Sequence, residues 1–173
     1  MRPFLDQQSL AILPTLKSFS WMCAAALLAA GPAHAQRLAP PDADMIARLA
    51  GIVRANLTRA VVEDGSSVPP ETPEELARPI VPGQLVEQTV RRGFLTAEME
   101  ACAMDWENRS FVPYMQTLRA SRRYGSRQMA YLGLLHGFSQ GAASEALEGR
   151  PPCSDEERQR LLRIAAETPI ASP

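Results

Sequence analysis

His136 is the one histidine downstream of residue 35, and two hydroxyls, Ser139 and Ser144, follow it closely in the chain. A histidine general base works on a nucleophile and usually needs an orienting acid. No G-x-S-x-G turn surrounds either serine. His136 is therefore expected to be a hydrogen-bonded helix residue rather than a catalyst. A milder role is a contact that responds to pH, because imidazole titrates near neutrality. Glu98 and Glu100 are two positions apart, and such pairs diverge on a helix instead of sharing a proton. One histidine and two distant cysteines do not make a zinc spacing. No catalytic set, metal site or cofactor is expected.

Two cysteines lie beyond residue 35, Cys102 and Cys153. No C-x-x-C is present, so a redox pair is disfavoured. An even count in an exported chain is the usual signature of a structural bridge. The expected disulfide is Cys102–Cys153, which closes a loop of roughly 50 residues and contributes about 4 kcal/mol in the chain-entropy picture.

Arginines supply the remaining chemistry. Residues 71–108 carry eight acids and three arginines, whereas 109–144 carry five arginines and no acid. The two blocks are expected to attract each other within the fold. Arg119, Arg122, Arg123 and Arg127 gather around Tyr124-Gly125-Ser126, where a helix is expected to begin. Guanidinium forks and free N–H groups at a helix start suit phosphate or carboxylate. These four form a candidate anion site, weighed against a solvated surface paired with the acidic block.

The first 35 residues read as an export signal. Lys17 precedes the apolar run Phe19 to Ala30, and Ala33-His34-Ala35 supplies a small-x-small cleavage site. About a dozen apolar residues are too few for a spanning helix, which needs ~20. The mature chain is expected to start at Gln36, with no transmembrane segment, in a bacterial periplasm or secreted. It holds sixteen arginines and no lysine, which GC-rich coding would explain. Asn56-Leu57-Thr58 and Asn108-Arg109-Ser110 fit the glycosylation pattern, relevant only in a eukaryotic secretory pathway.

The elements that must position these groups are helices. The chain has 173 residues, 46% hydrophobic, 21% charged and 6% aromatic, with a net charge of −1. That composition fits one globular domain and argues against a nucleic-acid binder. Ile46, Leu49, Val53, Leu57 and Val61 make an apolar stripe for an amphipathic helix capped at Asp42 or Asp44. Residues 63–82 are turn- and proline-rich and read as a linker, a hinge or a flexible arm. Pro82 is expected to open a helix ending near Arg92, with Gly93 as its left-handed cap. Thr96 is expected to cap the next, which carries Cys102. A further helix holds Phe111, Met115 and Leu118, and Ser126 caps a long one over 127–148. Ser154 and Glu157 form a capping box for the last. The fold class is thus all-α: about five helices stapled by Cys102–Cys153. The domain plan is 1–35 leader, 36–62 N-terminal helix, 63–82 linker and 83–173 stapled helical domain.

Helix 127–148 is the most unusual segment. Ala130, Gly133, Gly137, Gly141 and Ser144 recur every three or four residues. A helical glycine costs about 1 kcal/mol relative to alanine, so three in one helix need a reason. Such stripes let a second backbone approach closely. The reason is packing inside the domain, a second copy or partner helix, or a ligand. The candidate interaction face is Gly133, His136, Gly137, Gln140 and Gly141. The functional expectation is a non-enzymatic periplasmic or envelope protein-interaction module, chaperone-like in one variant. Its partner is unknown or is the protein itself, and no nucleic acid is involved. The alternative is an anionic-ligand or lipid-headgroup module at Arg119–Arg127, and an enzyme is a distant third.

Overall fold

The computed structural model describes residues 38–62 and 65–167. The expected leader and its cleavage site lie outside these residues. Helix α1 spans Ala43–Asn56, and the Asp42 carboxylate accepts the Met45 N–H at 2.8 Å as its cap. Leu49, Val53 and Leu57 of the expected stripe are buried. Val61 is not. The helix stops at Asn56, a 3-10 turn covers Leu57–Arg59, and Val61 pairs with Ser67 in an isolated antiparallel bridge. That leaves Val61 67% exposed.

The proline-rich stretch is laid on the core rather than hung free. Val68 and Val81 are buried in the same cluster as Leu49, Val53 and Leu57. Arg54 of α1 holds Glu71 with two hydrogen bonds, at 2.8 and 2.9 Å, and reaches the carbonyls of Glu75 and Leu76. The guanidinium keeps the Glu71 carboxyl below its ordinary range, through the hydrogen bond first and against some desolvation. A short helix α2, Pro73–Leu76, is fixed by a Thr72–Glu75 capping box.

Helix α3 runs without a break over Gly83–Ala101. Gly93 is therefore a helix-interior residue and not a cap, and Thr96 is buried mid-helix and not an N-cap. The reason is packing. A Cβ at Gly93 would stand 2.6 Å from the Ser139 Cβ and 2.7 Å from the His136 carbonyl oxygen, so α3 and α5 cross with Gly93 at the contact. Close burial along the whole of α3 outweighs glycine's poor helix propensity.

A π-helical turn, Glu107–Phe111, leads into α4, Val112–Ala120, with Pro113 in its first turn where a missing N–H is harmless. Helix α5 covers Ser126–Ala146. Its cap is Gly125 and not Ser126: the Gln128 carbonyl accepts the Gly125 N–H, while the Gln128 amide donates to Ile80. Helix α6 covers Asp155–Glu167. Ser154 accepts the Glu157 N–H as expected. The Glu157 carboxylate turns to Arg150 at 2.7 Å and Arg160 at 3.6 Å.

The fold is all-α, with six α-helices among the described residues, and Cys102–Cys153 is bonded. The bridge ties the end of α3 to the entry of α6, beside buried Leu95, Met99 and Leu161. Arg160 continues the ion chain to Glu98 at 3.2 Å, and Glu98 accepts the Leu38 N–H at 3.3 Å. The main core of α1, α3, α4 and α5 is built on Leu85, Val90, Tyr114, Leu132 and Leu135. No described helix is long and apolar enough to cross a membrane.

Candidate functional site

The sequence-derived interaction face does not lie on one side of α5. His136 is 1% exposed and points into the α3–α5 seam. Gln140 is half-buried and donates to Glu100 of α3 at 2.9 Å, with Ser144 bonding the same carboxylate. Gly133 sits beside Met115 of α4, where a Cβ would make an ordinary 3.8 Å contact. Of these five residues, Gly137 and Gly141 face open space, with nothing within 4 Å of an added Cβ, as is also true of Gly51 on α1. The glycine at which an added Cβ would collide with a neighbouring helix is Gly93 instead, outside the stripe.

Gly137 and Gly141 share their side of α5 with Phe138, which is 42% exposed. At 100° per residue, Ala130, Leu134 and Glu145 fall on the same arc. Ala130 and Leu134 are half-buried and Glu145 is exposed, so the outer face is a shallow strip with one aromatic ridge. Small and apolar residues dominate its middle. Such a strip offers backbone-close contact to another helix.

The opposite side of α5 meets a polar seam. Thr89, Arg92 and Thr96 of α3, Ser110 of the π-helical turn, and His136 and Ser139 of α5 are all buried. Each has a partner. Thr89 shares a hydrogen bond with the Tyr114 hydroxyl. Arg92 donates to Ser110 at 3.3 Å and lies 5.2 Å over the Tyr114 ring. Thr96 gives its hydroxyl proton to the Gly93 carbonyl and so accepts from His136 Nε2 at 3.2 Å. Phe111 lies 4.6 Å from the imidazole, and Trp106 lies 6.4 Å from Phe111. Ser139 donates to Leu135 within its own helix, so His136 and Ser139 are not coupled as base and nucleophile.

Burial, and then the nearby Arg92 charge, lower the His136 pKa to about 4. Desolvation also lowers that of Arg92 and raises that of Tyr114. The neutral imidazole has a thermodynamic consequence. Unfolded histidine titrates near 6.5, so between pH 6.5 and 4 the unfolded chain binds the extra proton. The contribution is fully present above pH 6.5 and declines as pH falls toward 4. The loss expected from His136 is about 3 kcal/mol. Urea unfolding at a series of pH values checks it, because His136→Gln should flatten that part of the profile.

The arginine cluster is only partly assembled. Arg119, Arg122 and Arg123 are exposed around the α4–α5 junction, and Arg122 has φ +55°. Arg127 is turned to the 70–75 segment, 3.7 Å from Glu75 and 3.5 Å from the Pro70 carbonyl. That pair realises the expected attraction between the acidic and basic blocks.

The seam residues Thr89, Arg92, Thr96, Ser110 and Tyr114 and the exposed Phe138 were not among the sequence candidates. A signal existed: Leu85, Thr89, Arg92, Thr96 and Met99 follow helical spacing, with polar residues at core positions. Placing a cap at Gly93 split that pattern in two.

Among the described residues, no group of three or more His, Cys, Asp or Glu side chains is placed to hold a metal. No protein family matches the chain, and no curated protein or solved structure matches it either.

Proposed function

We propose that this chain is an exported, non-enzymatic protein-interaction module whose docking face is the outer side of α5. The observation that carries the reading is the pair of open glycines, Gly137 and Gly141, beside the exposed ring of Phe138. Each helical glycine costs about 1 kcal/mol relative to alanine. Packing within the domain does not require either one, and close contact from a second helix would. Histidine chemistry is disfavoured by the burial of His136 behind Thr96 and Phe111. The export assignment rests on the sequence of residues 1–35.

The test is the double variant Gly137→Leu/Gly141→Leu. Both side chains would enter open space, so the thermal midpoint is expected to move by no more than a few degrees. The complex recovered after crosslinking the chain in its cell is expected to disappear, be it a dimer or one discrete heavier species. Recovery of the same complex at the parent level would contradict the reading. Anion or headgroup binding at Arg119, Arg122 and Arg123 makes a different forecast: a salt-sensitive thermal shift with phosphate that the glycine variants retain and Arg122→Ala/Arg123→Ala abolishes.

A further inference from the structure

We propose that the contact of His136 with Thr96 and Phe111 is an acid-sensitive latch, whose protonation releases the π-helical turn Glu107–Phe111 from the α3–α5 pair. The geometry is a stack of three layers. Thr96 of α3 fixes Nε2, Phe111 of the turn covers the imidazole at 4.6 Å, and Trp106 at the start of the turn lies 6.4 Å from Phe111. With Nε2–H already donating to Thr96, a proton can be added only at Nδ1. Addition there creates a cation in a site that is 1% exposed.

The groups around His136 do not favour that cation. From α3 they are Thr96, the Gly93 backbone and the guanidinium of Arg92, whose charge already opposes protonation. From the turn they are Phe111 and Ser110, the latter bonded to Arg92. Arg92 itself lies over the Tyr114 ring of α4, and the Tyr114 hydroxyl is joined to Thr89, so neither brings a negative charge toward the imidazole. The nearest α3 carboxylate engaged with α5 is Glu100, one turn beyond Thr96, and it is held by Gln140 and Ser144. A buried cation beside Arg92 regains hydration only if a layer opens. The π-helical turn is the layer to move. It is a single turn with an irregular hydrogen-bond pattern, while α3 and α5 are long helices closely packed around Gly93.

The experiment uses the whole chain with Trp21→Phe, which leaves Trp106 as its only tryptophan. Trp106 emission is followed from pH 7 to 3 alongside far-ultraviolet dichroism. The expected result is an emission change that develops as pH falls through about 4, with the helical signal retained, absent in the same chain carrying His136→Gln. No emission change, or an unaltered one in His136→Gln, overturns the latch; the second result would assign the acid response to groups other than His136. If the glutamine variant does not fold, the imidazole resonances of His136 in the parent decide. Ring protonation coinciding with the Trp106 change supports the latch. Ring protonation that leaves Trp106 emission unmoved overturns it.

Discussion

Replacing both Cys102 and Cys153 with alanine is expected to remove about 4 kcal/mol of stability. The two residues are 51 positions apart, so the bridge restricts a long loop in the unfolded chain. Both sulfurs are buried beside Leu95, Met99 and Leu161, and the bond fastens the end of α3 to the start of α6. Against a typical total of about 5–15 kcal/mol, the loss is a large fraction. Urea unfolding of the double alanine variant, compared with the oxidised parent, measures it. A loss under about 1 kcal/mol would mean that α6 is held chiefly by Leu161 and the Arg150–Glu157–Arg160–Glu98 chain.

Gly93→Leu is expected to cost upward of about 3 kcal/mol, at or beyond the usual range for overpacking. The first added atom already meets Ser139 Cβ at 2.6 Å, the His136 carbonyl at 2.7 Å and the Gln140 nitrogen at 3.0 Å. Two of the three are backbone atoms, which cannot swing aside, so α3 and α5 would have to part. The matched control is Gly137→Ala, which meets nothing within 4 Å. Gaining helix propensity at an open site should raise stability by up to about 1 kcal/mol. Thermal melts of the two variants should therefore move in opposite directions. Similar losses from both would contradict the assignment of the close contact to Gly93.

Much of the fold is legible in the chain. The Leu49-Val53-Leu57 stripe, a cap at Asp42 (one of the two aspartates offered) and the cysteine pair all act locally or by count, and each is found in place. What escaped depends on tertiary contact. Gly93 looks like a helix end because an isolated glycine followed by a capping-type threonine ordinarily is one. Only the approach of α5 makes that glycine necessary inside a helix. The same error hid the polar seam, since Thr89, Arg92 and Thr96 belong to one face only if α3 is continuous. The stripe on α5 was visible, yet its periods of three and four drift around the helix. Sequence alone could not separate Gly133 beside Met115 from Gly137 and Gly141 in the open. Val61 shows the limit of periodicity: it fits the stripe, but the chain has left the helix by then.

Site-specific photocrosslinking from position 138, in the cell that makes the chain, tests the central claim most directly. A photoreactive residue replacing Phe138 would sit at the edge of the outer face of α5, beside the two open glycines. The result expected is one discrete adduct from position 138 that is lost when Gly141→Leu is added, with none from the exposed position Thr117 on α4. Equal, diffuse labelling from both positions, or a position-138 adduct indifferent to Gly141→Leu, would contradict a docking face on α5.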